Sequence, residues 1–407
     1  MSNKNSIKYF IIVPDGAADE RYKEYNNLSP LEYAKTPNLD FFMENGIGGI
    51  VRTIPISIKE PGSDTANLSL LGYDPEKFKN LSRGPLEALS QNIELSDDDV
   101  IFRANCVTIK NNKMISSNAG HIPSELSFKF IDYINENLKI DGISFFKGVG
   151  YRHLLKIDLK KIKNFKVEKI ECTPPHNIVG KNILSPKNYL PEGKSSEFLI
   201  SLMDKIKEVL KSCPLNKDLE YPVTTLWFWA GGKKFSIESF YKIWKLKGAV
   251  ISGVDLIKGI GKAIGFDVLD VKGATGDYHS NFKNKIKTAL KNINNYDLIF
   301  LHIEATDEAG HDKNFLKKVE MIEKFDKEIL YDLKKYFIKN KERVRIIIVP
   351  DHPTPVRLGY HTNGEVPFVI AGKGIEKDEN KRLREVLKAS LRFNNGKELI
   401  KYFLKIT

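Results

Sequence analysis

The sequence predicts an α/β protein, with a mostly parallel sheet between helices interrupted by a second, smaller α+β domain. Three observations carry this. The apolar runs Ile11-Ile12-Val13-Pro14, Ile299-Phe300-Leu301-His302-Ile303 and Ile346-Ile347-Ile348-Val349-Pro350 have the length and β-branched content of strands buried on both faces. Phe315, Val319, Ile322, Ile329, Leu333 and Phe337 recur at helical spacing between the last two runs, as a crossover between parallel strands requires. From about Gly84 to Asp218 the texture changes to short alternating strands and turns. Residues 1–84 and 221–407 are therefore read as one discontinuous core, and 85–220 as the insertion; 407 residues are more than one compact core usually holds.

In chain order, a strand over 7–13 is followed by a helix from Thr36 to Asn45 that stops at Gly46. A short strand, Gly49 to Thr53, leads to the loop Pro61-Gly62-Ser63-Asp64-Thr65. The apolar stretch Ala66 to Leu71 then ends at Gly72, which puts Ser63 at a helix amino end. In the insertion, Val100 to Val107 alternates as a strand, and Thr173–Lys181 and Ser185–Lys194 are Pro- and Asn-rich loops. Core texture resumes near Leu226-Trp227-Phe228-Trp229, whose tryptophans read as core aromatics. A strand over Ala249–Ser252, a helix through Ile257–Ile264, a strand over Asp267–Val271 and a helix near Phe282–Leu290 follow, and an apolar run, Val366–Ile370, comes late in the chain.

The composition is that of an ordinary globular protein, 41% hydrophobic and 29% charged. No stretch approaches the roughly 18 apolar residues of a membrane span, and the start leaves no room for a signal peptide. Cys106, Cys172 and Cys213 are widely spaced and odd in number, which points to a reducing cytoplasm. The net charge of +12 is mostly lysine spread over helices; no zinc-finger, RRM-like or arginine-stripe pattern accompanies it, so nucleic acid is not an expected partner. Local cations that hold a small anionic substrate fit better. Oligomeric state is not legible.

The apolar runs deliver carboxylates to the carboxyl ends of strands, where ligands of open α/β sheets gather. Asp15 follows the first run, and Asp351-His352 end the third. Asp307 and His311 stand four apart, one face of a helical turn, and His361 returns ten positions after Asp351. Any one of these is often a helix cap or a satisfied core histidine; the whole set at one edge suggests a metal site. There are ligands enough for two divalent ions, and carboxylate with imidazole suits manganese or zinc better than magnesium. Ser63, in a Gly-Ser-Asp-Thr turn, could be a plain helix cap, but beside metals it becomes a nucleophile that a metal can activate.

Asp15, the block Gly-Ser-Asp-Thr-Ala-Asn-Leu-Ser-Leu-Leu-Gly-Tyr-Asp-Pro (62–75), Asp307-x-x-x-His311, Asp351-His352 and His361-Thr362-x-x-x-Val366-Pro367 resemble the alkaline phosphatase superfamily, and within it the archaeal-type cofactor-independent phosphoglycerate mutases. Arg83-Gly84-Pro85-Leu86-Glu87-Ala88, Tyr151-Arg152-His153 and Asp255-Leu256-Ile257-Lys258-Gly259 also look like that family's blocks. The resemblance implies an alkaline-phosphatase-like core with an inserted substrate-binding or cap domain. It implies two divalent metals (manganese first; magnesium, cobalt or zinc as alternatives), one held by Asp15, Ser63, Asp351 and His352, the other by Asp307, His311 and His361. It further implies a phosphoserine on Ser63 and interconversion of 3- and 2-phosphoglycerate without a bisphosphoglycerate, in glycolysis and gluconeogenesis. Arg83, Arg103, Arg152, His153 and Lys258 are the substrate-binding candidates, because arginine forks grip phosphate and carboxylate bidentately. Ala119-Gly120-His121 stands where that family's pattern has Ala-Gly-Arg. The core motifs handle only the phosphoryl group, so a phosphatase, a phosphopentomutase or a homoserine-kinase-like role shares them, and a non-catalytic metal- or anion-binding module is the remaining alternative.

Overall fold

The structure, a computed structural model, describes residues 7–58, 61–78, 82–385, 387 and 391–405. The chain divides into two compact units, Met1–Lys79 with Ile237–Thr407, and Asn80–Ser236. The crossings therefore fall at 79/80 and 236/237 instead of the expected 84/85 and 220/221. The later return has a clear cause. The apolar strand Thr225–Lys233 pairs antiparallel with Asp99–Lys110, inside the second unit, and is not a strand of the first unit's sheet.

The first unit is built on an eight-stranded sheet in the order Asp267–Val268, Gly248–Ile251, Leu298–Ile303, Lys8–Pro14, Val344–Ile348, Val366–Gly372, Gly46–Val51, Leu391–Phe393. The first five run parallel, and the three predicted apolar runs are its central strands. Val366–Gly372 pairs antiparallel with both its neighbours, so its run of buried residues reflects burial on both faces and not parallel pairing. The predicted amphipathic helix is Phe315–Phe325 and Tyr331–Asn340 joined by a π-turn, Asp326–Leu330. That turn buries Asp326, whose carboxylate accepts from the N–H groups of Asn38 (3.0 Å) and Leu39 (2.7 Å). It thereby satisfies orphan donors at the start of the helix Pro37–Glu44.

Beneath the carboxyl edge lies a fully buried ion pair. Lys318 Nζ donates to Asp19 Oδ2 (2.7 Å), Thr354 O (2.9 Å) and Ala18 O (3.3 Å), so all three of its protons are used. Removing one partner of such a pair strands a charge in low dielectric. Lys318→Met is expected to cost about 3–5 kcal/mol in urea unfolding; an unchanged midpoint would show that Asp19 finds other compensation.

The second unit has a five-stranded antiparallel sheet around the long strand Asp99–Lys110, which pairs with Lys113–Ser116, Arg152–Asp158 and Thr225–Lys233, with Ile143–Val149 beyond Arg152–Asp158. The helices Ser124–Asn137 and Ser196–Lys211 contribute Phe130, Ile131, Leu199, Leu202 and Ile206 to its core. No helix among the described residues is long and apolar enough to cross a membrane.

Candidate metal centre

Parallel pairing explains how residues distant in sequence meet. Lys8–Pro14 lies between Leu298–Ile303 and Val344–Ile348 and runs parallel to both, so all three carboxyl ends open on one edge. Asp15 follows the central strand, Asp307 sits on the short helix Ala305–His311 after the second, and Asp351 and His352 follow the third. All four are buried. Ser63 opens the helix Ser63–Leu70, with Gly62 at the cap position, so it stands in the first turn, where free N–H groups favour an anion.

The side chains converge closely. Ser63 Oγ lies 3.1 Å from His352 Nε2. His352 Nε2 is 3.5 Å from Asp15 Oδ1 and 3.4 Å from Asp351 Oδ2. Asp351 is held by the N–H groups of Gly16 and His352 (both 3.0 Å) and by Asn67 Nδ2 (2.8 Å), which also donates to Ser63 O (2.8 Å). Asn67, one turn beyond Ser63, thus faces the site. On the other side, His311 Nε2 is 3.1 Å from Asp307 Oδ2 and 2.9 Å from His361 Nε2, and His361 Nε2 is 3.4 Å from Asp307. The carbonyl of Gly359 accepts from His311 Nδ1 at 3.0 Å, which turns Nε2 toward the site.

The electrostatics describe a cluster with surplus negative charge. Burial, then the carboxylates of Asp351 and Asp307, push Asp15 well above the usual carboxylate range. Burial would raise Asp307 as well, but the imidazoles of His361 and His311 hold it well below that range. Burial depresses His311 too, yet Asp307 beside it lifts the ring to about 9, whereas burial takes His352 down to about 4.

These residues fit divalent cations. Asp307, His311 and His361 present ligand atoms within 4.8 Å of one another, as do Asp15, Asp307 and His352, and Asp15, His302 and Asp351. Asp15 Oδ1 is buried with no hydrogen-bond partner, and two imidazole Nε2 atoms face each other across 2.9 Å. Orphaned acceptors and crowded carboxylates are what a bound cation would satisfy.

A second constellation lies in the other unit. Arg103 is 7% exposed and grips Glu87 with two bonds, Nε to Oε2 (3.1 Å) and Nη2 to Oε1 (3.0 Å). Its guanidinium stacks 4.4 Å over the Trp229 ring, with Arg83 at 5.8 Å over the same ring. Trp229 Nε1 is fixed by Asn105 Oδ1 at 3.1 Å. Burial, opposed by Glu87 and reinforced by the charges of Arg83 and Arg152, lowers the Arg103 pKa. Two guanidiniums thus share the Trp229 ring, and Arg152, which stacks 4.4 Å over Tyr151, is near enough for its charge to reach Arg103, a grouping that suits an anion. Trp229 is core aromatic and cation platform at once.

His153 does not join them. Antiparallel partners share a face, and Arg103 pairs with Leu154, Asn105 with Arg152, but Ala104 with His153, so His153 points to the opposite side of the sheet. It is fully buried there, its Nδ1 accepts from Gly148 N–H at 3.1 Å, and burial drives its pKa to about 3. Lys258 lies in the first unit, on the helix Asp255–Ala263 that packs against Ser63–Leu70, and pairs with Asp270 at 3.4 Å. His121 is exposed and bonds with Asn118. Sequence reasoning overlooked Glu87, His302, Glu304 and Thr354. His302 Nε2 lies 3.4 Å from Asp15, and Glu304 and Lys285 form a buried pair behind it.

A family profile described as the metalloenzyme superfamily matches residues 7–393. Over 368 residues the chain is 39% identical to a 2,3-bisphosphoglycerate-independent phosphoglycerate mutase of Methanosarcina mazei, covering 89% of this chain and 90% of that one. A Pyrococcus horikoshii protein of the same description is 38% identical, with 97% and 95% covered. Among solved structures, a Pyrococcus horikoshii protein superposes with a TM-score of 0.79 at 32% identity, over 98% of this chain and 97% of that one.

Proposed function

The chain belongs to the metalloenzyme superfamily and, within it, to the 2,3-bisphosphoglycerate-independent phosphoglycerate mutases; from that premise we propose that it interconverts 3-phosphoglycerate and 2-phosphoglycerate through a phosphoserine on Ser63. The observation that carries the reading is the position of Ser63, in a helix's first turn and 3.1 Å from His352 at the carboxylate edge.

Ser63 Oγ forms a bond to phosphorus as the bond to the glycerate O3 breaks, and O3 gains the proton that the serine gives up. The glycerate then turns. Its O2 takes the phosphoryl group back, losing its proton as Ser63 recovers one, so no second phosphorylated substrate is consumed. Two divalent cations, one on Asp15, Ser63, Asp351 and His352 and one on Asp307, His311 and His361, would supply charge neutralisation and favour the serine alkoxide. Manganese or zinc suits that donor set better than magnesium. Asn67 holds Asp351 and the Ser63 carbonyl, which fixes the serine's helix turn relative to the carboxylate.

Arg83, Arg103 and Arg152 are assigned to the phosphate and carboxylate of the substrate, and the inserted domain to substrate binding. Arg103→Lys would lose the fork geometry and the stacking on Trp229 while keeping the charge. Its kcat/KM for 3-phosphoglycerate is expected to fall about 10–100-fold, the scale of a hydrogen bond to a charged group; a steady-state assay giving wild-type values would remove Arg103 from the substrate.

The reading is tested by following 3-phosphoglycerate with manganese in a phosphorus NMR tube. Accumulating 2-phosphoglycerate supports it. Free phosphate would mean a hydrolase, and no reaction with phosphoglycerate but turnover of a phosphopentose or of homoserine would mean another phosphotransferase.

A further inference from the structure

Thr354 lies in Asp351-His352-Pro353-Thr354-Pro355 and is fully buried. Its hydroxyl sits between two groups assigned above to different cations. Thr354 Oγ1 is bonded to Asp307 Oδ1 on one side and lies 3.2 Å from His352 Nδ1 on the other. A hydroxyl has one proton. The ionised Asp307 carboxylate only accepts, so the proton points there, and the oxygen must then accept from His352 Nδ1–H. This selects one tautomer of His352 and leaves its Nε2 lone pair facing Ser63 at 3.1 Å.

The threonine is itself held on every side. Its N–H donates to Ala18 O at 3.2 Å, and its carbonyl accepts from the buried Lys318 Nζ at 2.9 Å. Gly16 leaves room for the hydroxyl: a Cβ there would lie 2.6 Å from Thr354 Oγ1 and 2.4 Å from Asp307 Oδ1. A Cβ on Gly310 would lie 2.5 Å from the Thr354 carbonyl. Glycine at both positions thus leaves the space that Thr354 occupies.

We propose that Thr354 is a positioning residue that couples the two cation sites, its single hydroxyl orienting Asp307 in one and setting the tautomer of His352 in the other. This rests on the two-cation reading. Two substitutions separate the hydroxyl from mere space-filling: Thr354→Val keeps the shape and loses the hydroxyl, whereas Thr354→Ser keeps the hydroxyl and loses the methyl.

The test is isothermal titration of metal-stripped protein with manganese. Wild type is expected to take up two ions. Thr354→Val is expected to bind both about 10–100-fold more weakly, the scale of outer-shell changes at metal sites, and Thr354→Ser to bind them close to wild type. Unchanged affinity in Thr354→Val, a loss confined to one ion, or equal losses in Val and Ser would each overturn the coupling. If circular dichroism shows that Thr354→Val is unfolded, Thr354→Ala against Thr354→Ser makes the same comparison between two smaller side chains. Wild type binding fewer than two ions would overturn the two-cation reading itself, and the wild-type titration alone reveals that failure.

Discussion

Ser63→Ala is expected to lower kcat on 3-phosphoglycerate on the order of 10⁶-fold, the scale of deleting a covalent nucleophile. The mechanism has no other group that can carry the phosphoryl between O3 and O2. His352, 3.1 Å away, is occupied as a ligand in the proposed centre, and Asn67 can only donate or accept hydrogen bonds. Folding should be nearly untouched, because Gly62, not Ser63, holds the cap position and no side-chain cap bond from it is lost. A coupled enolase assay run over hours, with thermal melting of the same sample, separates the two. Residual activity within 100-fold of wild type, on a folded variant, would remove Ser63 from the chemistry.

Asp307→Asn carries the second large effect. Among the described residues, Asp307 is the carboxylate common to both groupings: it meets His311 and His361 on one side and shares ligand distance with Asp15 and His352 on the other. Asparagine keeps the shape but removes the charge that two imidazoles surround. Manganese affinity should drop by more than about 100-fold, beyond what outer-shell substitutions cause, and turnover should disappear at micromolar metal. Chelation of wild type should reproduce the loss and lower the melting temperature, since buried Asp15 and Asp351 would then face each other without a cation. Wild-type manganese uptake by Asp307→Asn, measured by metal analysis after gel filtration, would displace it from the centre.

Much of this centre could be read before the fold was seen, and the reasons are physical. The gathering of Asp15, Asp307 and Asp351 was legible because fully buried parallel strands announce themselves as apolar runs, and their carboxyl ends share an edge. Ser63 was legible through the glycine before it and the helix pattern after it. The strand Thr225–Lys233 was misplaced because an apolar run does not say which sheet it enters. Val366–Gly372 gave no sign of running antiparallel, for the same reason. The separation of Arg152 from His153 could have been foreseen, since neighbours on a strand face opposite ways. Trp229 as a cation platform depends on Arg103, which reaches it only through strand pairing. Thr354 left no pattern at all: a threonine between prolines reads as a turn, and its two partners come from a helix and from its own strand end.

The central claim is that the phosphoryl group rests on Ser63 during turnover. Wild-type protein with manganese is mixed with 3-phosphoglycerate, quenched in acid within one turnover and digested for mass spectrometry. The account expects a phosphorylated peptide whose phosphate maps to Ser63 and disappears when the quench follows a chase with excess glycerate acceptor. Turnover to 2-phosphoglycerate with no phosphorylated peptide, or with the phosphate on another residue, would contradict it.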